Sequence, residues 1–174
     1  MLRMPPFRYH HPRSVEEAVQ AWHDHEGAMY VAGGTDLLPN LKHHLHSPAH
    51  LVGLTGLPRA EVHRGEEAWV LDAGLTLHRL ATHPQLQAEL PPLAEAAGLV
   101  AGPQIRRMGT LGGNILLDTR CLYFNQSLFW RKALGYCLKK EGDWCHVIGG
   151  PKTCVAVQSS DTVPVLLALD ASIL

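Results

Sequence analysis

Residues 28–42 read Ala-Met-Tyr-Val-Ala-Gly-Gly-Thr-Asp-Leu-Leu-Pro-Asn-Leu-Lys, and the change of character at Gly33 decides how the chain is read. Ala28 to Ala32 is short and apolar and runs straight into Gly33-Gly34-Thr35-Asp36, the pattern of a strand feeding a glycine turn. A β-turn-helix unit follows. Upstream, Ser14 and Glu17 form a capping box, and Val15, Ala18, Val19 and Trp22 recur at helical spacing until Gly27, which predicts an amphipathic helix. Downstream, Leu51 to Leu54 reads as a further short strand, and Ala60 to His63 with Trp69 to Ala73 frames Arg64-Gly65-Glu66-Glu67 as a hairpin turn. Thr76 caps a helix over Leu77 to Ala81, and Pro91-Pro92 opens another that runs through Leu93, Ala96 and Ala97 to Gly98. Helices and strands mixed in this order make an α+β fold.

From Gly109 the chain reads Gly-Thr-Leu-Gly-Gly-Asn-Ile-Leu-Leu, a second glycine-rich turn beside an apolar strand. Residues 119–159 then differ from their surroundings. They hold all four cysteines, two of the four tryptophans and six basic against two acidic residues, a charge of +4 where the remainder, nine basic against fourteen acidic, carries −5. This segment reads as an insertion into a domain formed by residues 1–118 and 160–174. After it, Ser160-Asp161 precedes Val163, Val165, Leu166, Leu167 and Leu169, a helix with Asp161 as N-cap and Pro164 in its first turn. Ala171-Ser172-Ile173-Leu174 reads as the start of another strand with no partner, so the chain is expected to be incomplete at this end.

Composition narrows the function. With 174 residues, Lys+Arg 15 against Asp+Glu 16, a net charge of −1 and a mean hydropathy of −0.03, the chain is no basic nucleic-acid binder. No apolar run approaches the ~20 residues of a membrane span, and the start MLRMPPFRYHHP has prolines where a signal peptide carries its apolar core. A cytoplasmic protein is expected. At this length and 46% hydrophobic residues, burial of roughly 70% of the unfolded surface needs no disulfides.

The cysteines therefore need another reason. Cys121, Cys137, Cys145 and Cys154 are separated by fifteen, seven and eight residues, and without a secretory signal metal or cluster ligation fits better than pairing. The spacing is no ferredoxin motif, and a four-iron cubane, a two-iron cluster and tetrahedral zinc all accept four thiolates. Arg120, Arg131, Lys132, Lys139, Lys140 and Lys152 either offset the charge of an anionic cluster or form a solvated face. His43, His44 and His46 lie in a polar run and read as solvated surface.

The two glycine turns, Val31-Ala32-Gly33-Gly34-Thr35-Asp36-Leu37 and Thr110-Leu111-Gly112-Gly113-Asn114, suit phosphate. Residues without Cβ let successive backbone N–H groups close on the oxygens, and Thr or Asn side chains add donors. Neither is a Walker loop or a GxGxxG fingerprint, so each alone is equally a structural turn. As a pair they point to the pyrophosphate of a dinucleotide.

AGGTDLLPNLK (32–42), QIRRMGTLGGN (104–114) and SDTVPVLLALDA (160–171) together resemble the ordered signatures of the flavin-binding medium subunit of molybdenum hydroxylases, the xanthine and carbon monoxide dehydrogenase family. The resemblance implies an FAD-binding domain of the p-cresol methylhydroxylase/vanillyl-alcohol oxidase type in two small subdomains. It also implies FAD with its pyrophosphate on Val31 to Leu37 and on Thr110, Gly113 and Asn114, and Asp161 reaching the ribose–adenine half. The insertion, RCLYFNQSLFWRKALGYC followed by Cys145 and Cys154, resembles the iron–sulfur loop of the 4-hydroxybenzoyl-CoA reductase β subunit. That implies a 4Fe-4S cluster on Cys121, Cys137, Cys145 and Cys154.

The leading expectation is thus an electron-transfer subunit serving the reductive dehydroxylation of 4-hydroxybenzoyl-CoA. Its partners would be a large molybdenum-cofactor subunit that holds the substrate, a small 2Fe-2S subunit, and a reduced ferredoxin as donor. No catalytic acid–base pair is expected in this chain, because a flavin performs redox work without one. Two alternatives stand beside it. One is a subunit of an oxidative hydroxylase of the same family; the other is an assembly module folded around zinc.

Overall fold

The computed structural model describes residues 2–58 and 62–174, so Ala60 and Glu61 of the expected hairpin lie outside the described residues. The chain opens with β1 (Arg8–His10) and α1 (Val15–His23). Ser14 caps α1 by accepting from the Glu17 N–H at 3.2 Å, and Glu17 returns to the N–H of Arg13 at 2.7 Å, so the capping box forms with its second bond shifted by one residue. β2 (Met29–Val31), α2 (Leu37–Lys42) and β3 (His50–Gly53) follow. The three strands form a parallel sheet in the order β1-β3-β2, with Tyr9 opposite Leu51 and Val31 opposite Gly53. Parallel neighbours need crossovers, which α1 and α2 provide. Ala18, Ala28 and Val52 make one small apolar cluster, and Val31, Leu41 and Leu51 another.

The second group of elements begins with the antiparallel pair β4 (His63–Arg64) and β5 (Trp69–Val70), its turn closed by the Gly65 N–H on the Ala68 carbonyl at 2.9 Å. Short helices follow: α3 (Leu77–Thr82), α4 (Pro84–Glu89), α5 (Pro91–Leu99) and α6 (Pro103–Met108). Prolines open three of them, where the missing N–H costs nothing. Leu75, Leu77, Leu80, Leu86, Ala97 and Leu111 pack as the core of this half.

Two expectations fail here for identifiable reasons. The segment after Gly109 is a helix, α7 (Leu111–Ile115), and not a turn beside a strand. Thr110 caps it by accepting from the Gly113 N–H, and Gly112 lies so close to Ala73 that its N–H reaches the Ala73 carbonyl at 2.8 Å. The last helix, α9 (Val163–Ala168), has Thr162 and not Asp161 as its N-cap, because Ser160 and Thr162 turn inward and leave Asp161 exposed. Pro164 does stand in its first turn. Ala171 to Leu174 is exposed and joins no strand.

Residues 119–159 carry one helix among the described residues, α8 (Leu128–Ala133), capped by Ser127. The rest is turns, with Tyr136 and Glu141 at φ of 65° and 64°, a region that side-chain-bearing residues rarely adopt. Among the described residues no helix is long and apolar enough to cross a membrane.

Candidate functional site

The first glycine turn leaves the C-terminal end of β2 and enters α2. Gly34 has φ +70°, which glycine adopts without strain, and a Cβ on Gly33 would overlap the Met108 carbonyl. The turn is therefore pressed against the start of the second motif, and Thr35 Oγ1 lies 3.4 Å from where a Gly109 Cβ would stand. Among the described residues, no protein acceptor meets the backbone N–H of Gly33, Gly34, Thr35, Asp36 or Leu37. Five successive donors on a half-buried turn, at the entrance of a helix, supply partial positive charge that can meet an anion. Asp36 is otherwise engaged: its carboxylate accepts from Asn40 Nδ2 at 3.1 Å and pairs with Arg120 of the insertion.

The second motif spends its donors internally. Leu111 N–H goes to the Leu75 carbonyl at 2.8 Å, Gly112 N–H to Ala73, and Gly113 N–H to Thr110 Oγ1 at 3.1 Å. Asn114 is buried, and its Oδ1 accepts from the Ser160 and Thr162 hydroxyls, both at 2.7 Å, and from the Thr162 N–H at 3.3 Å. A backbone N–H can only donate, which fixes the orientation of the amide. The third motif is thereby tied to the second, and Asp161, between the two inward hydroxyls, is free to project outward.

Cys121, Cys137, Cys145 and Cys154 are all free thiols and line one cavity, together with Tyr123, Phe124, Lys139 and His146. Among the described residues no three of their sulfurs lie within 4.8 Å of one another. Sulfurs on one tetrahedral ion, at bonds of about 2.3 Å, sit roughly 3.8 Å apart, so the four cysteines share a cavity without forming such a metal site. Backbone N–H groups of Ile148 and Val147, opposed by partial burial and reinforced by Val155, hold the Cys145 thiol below the usual thiol range. Donors aimed at a sulfur favour its thiolate, the form that ligates metal.

The loop is anchored from outside. Arg131, 1% exposed, donates from Nη2 to the His44 carbonyl at 2.9 Å and from Nε to the Gln126 carbonyl at 3.2 Å. Leu45 packs with Phe124 and Cys137, and Lys139 pairs with Asp118 at 2.7 Å. The insertion covers the run after α2, so His43, His44 and His46 are half-buried where the sequence reading expected solvated side chains. Burial, then Lys140, keeps His46 below the ordinary histidine range. The basic residues divide: Arg120 and Lys139 tie the insertion to the body, and Arg131 is internal.

Residues 5–174 match the family described as FAD binding domain in molybdopterin dehydrogenase. The chain belongs to this family. It is 42% identical over 116 residues to the carbon monoxide dehydrogenase medium chain of Hydrogenophaga pseudoflava, covering 64% of this chain and 39% of that one. It is 30% identical over 174 residues to the aldehyde oxidoreductase FAD-binding subunit of Escherichia coli K12, covering 97% of this chain and 55% of that subunit. The solved structure of the Hydrogenophaga pseudoflava carbon monoxide dehydrogenase superposes with a TM-score of 0.62 at 40% identity, over 65% of this chain and 40% of that one. The chain therefore spans about half or less of the length of these relatives.

This flavin-binding domain is of the α+β p-cresol methylhydroxylase type. The match to the aldehyde oxidoreductase subunit thus reaches further along this chain than the match to the carbon monoxide dehydrogenase medium chain. Sequence reasoning missed two functional links, the Asp36–Arg120 pair and the Asn114 clamp. Only the second had a signal, the hydroxyls flanking Asp161.

Proposed function

We propose that this chain holds FAD as the medium subunit of a molybdenum-hydroxylase-type oxidoreductase that oxidises its substrate in a partner subunit, and that its cysteine loop carries an iron–sulfur relay. The row of unpartnered N–H groups from Gly33 to Leu37, pressed against Met108 and Gly109, carries the flavin reading. These donors would hold the pyrophosphate, with Thr110 closing the second side and Asp161 meeting the ribose–adenine half. When bound, FAD supplies the exchange between two-electron and one-electron chemistry. The chain's own part is to bind, orient and shield.

The four cysteines that line one cavity supply the thiols a 4Fe-4S cluster needs, and the insertion's resemblance to an iron–sulfur loop is what favours the cluster over zinc. Lys139 lies beside the cavity, 5.2 Å over the Phe124 ring, with its ammonium paired to Asp118. The relatives named above are subunits of dehydrogenases and an aldehyde oxidoreductase, which favours the oxidative direction. Reductive dehydroxylation of 4-hydroxybenzoyl-CoA, with ferredoxin as donor, rests on the insertion's resemblance alone. The large molybdenum subunit and a small 2Fe-2S subunit are the partners this reading requires, in a cytoplasmic complex.

Anaerobic co-expression with the partner subunits, followed by flavin, iron and sulfide analysis, tests it. The complex should carry one FAD and, beyond the partners' content, about four iron and four sulfide per chain. Gly34→Val should lower FAD retention and spare the iron, whereas Cys145→Ser should lower the iron and spare FAD. FAD retention unchanged in Gly34→Val removes the first turn from the site; stoichiometric zinc in place of iron overturns the cluster.

A further inference from the structure

Three histidines from separate elements meet at the parallel sheet: His10 ends the edge strand β1, His25 follows α1, and His50 begins the central strand β3. His10 Nε2 and His50 Nδ1 are 2.9 Å apart. The His25 ring stacks on His50 with centroids 4.0 Å apart at 9°, and lies 4.5 Å from His10. One ring nitrogen from each lies within 4.8 Å of the other two, and all three side chains are half-buried. We propose that His10, His25 and His50 form a binding site for a divalent transition-metal ion of the borderline class, Zn²⁺, Co²⁺ or Ni²⁺, separate from the flavin turn and the cysteine loop.

The donor set carries the inference. Three imidazoles leaving a fourth position to water are a recurrent zinc site, and imidazole suits cobalt and nickel equally. Among the described residues the one hydrogen bond of these rings is that between His10 and His50, His25 is held by stacking, and no carboxylate is paired with any of them. Partial burial, then the neighbouring His25, His10 and Arg8, holds His50 below the ordinary histidine range. Zn–N bonds of about 2.0–2.1 Å set the nitrogens of a tetrahedral site roughly 3.3 Å apart, so the His10–His50 pair at 2.9 Å opens slightly, and the stacked His25 ring turns out of parallel with His50 and closes by at most about 1.5 Å. His25 lies in a turn that can supply this movement. Arg8 opposes the approach of a cation, which favours strong nitrogen donors over hard ions bound by charge.

The site is remote from the flavin turn in a definite sense. His50 stands at the start of β3, whereas the pairing of Gly53 with Val31 beside the turn is at the other end of that strand. A bound ion would tie β1, the end of α1 and β3 together, a structural function of its own.

Titration of the purified full chain with Co²⁺ under anaerobic conditions tests this. Cobalt on cysteine thiolates shows sulfur-to-metal charge-transfer absorption in the near ultraviolet, and cobalt on imidazole nitrogen shows only ligand-field bands, so the two kinds of site are read separately. One nitrogen-only equivalent is expected in the parent. In His25→Ala and in His50→Ala its affinity should fall by more than the roughly 10–100-fold that loss of an outer-shell partner costs, while the charge-transfer component stays. Circular dichroism checks that the variants fold, and His25→Ala, outside any strand, decides should His50→Ala misfold. No nitrogen-only equivalent in the parent, or an unchanged one in a folded His25→Ala, overturns the proposal.

Discussion

Asn114 Oδ1 accepts from two hydroxyls and one backbone N–H of residues 160–162, so a single buried oxygen joins the second glycine segment to the entrance of α9. Buried donors that lose their acceptor cost about 1–3 kcal/mol each, and relaxation recovers part of this. Asn114→Ala is therefore expected to lower stability by about 3 kcal/mol, read as a shift of the urea midpoint at unchanged slope. The conservative Asn114→Asp keeps the acceptor and should recover much of the loss. If Asn114→Ala unfolds at the parent's midpoint, the clamp has no energetic weight. Gly33 shows the opposite logic: its value is the absence of a side chain, because the Met108 carbonyl occupies the space a Cβ would need. The Asx-rich chemistry of these motifs was visible in the sequence; which polar groups face inward was not.

At the scale of elements, the strand-turn-helix at residues 29–42, the Ser14 and Thr76 caps and the proline-opened α5 were legible, because each rests on local rules of capping and periodicity. The failures came where tertiary contact overrode local preference. Gly112 and Gly113 are poor helix formers, yet α7 forms because Thr110 caps it and Gly112 fits against Ala73. Asp161 is a better N-cap than Thr162 by type, and loses because Asn114 draws its neighbours inward. The clustering of the cysteines was legible as composition, but the route by which α8 is held was not, since Arg131 reads from sequence as one more surface cation. Its guanidinium joins α8 to the His44 carbonyl across 87 residues of chain. Arg131→Met keeps the bulk and removes both bonds, with an expected loss of about 2–3 kcal/mol in the anchoring of the insertion. Limited proteolysis should then cut within 119–159 while the remainder resists. Parent-like resistance in the variant would show that Leu45, Phe124 and Cys137 suffice.

At the scale of the molecule, two ion pairs among the described residues join the insertion to the flavin-binding body: Arg120 with Asp36 of the first turn, and Lys139 with Asp118. The first joins the cysteine segment directly to the first glycine turn. For the second, partial burial works against ionisation of Asp118. The Lys139 hydrogen bond, the Thr119 N–H, the Lys139 charge and His46 outweigh it and hold the carboxyl below the usual carboxylate range. A folded-state value below the unfolded one means that the pair stabilises above the unfolded value and is lost as pH falls through the folded one. Both side chains are partly exposed, so the contribution is about 0.5 kcal/mol at low salt and less as salt screens it. Hydrogen exchange of amides in residues 119–159 should therefore accelerate as the pH falls below about 4, after correction for the intrinsic rate, with residues 77–108 responding less. In Asp118→Asn that loss is already present at neutral pH and the acid-dependent component shrinks. Equal acid dependence in parent and variant would assign the response to other carboxylates and leave Arg120–Asp36 as the pair that couples the loop to the body.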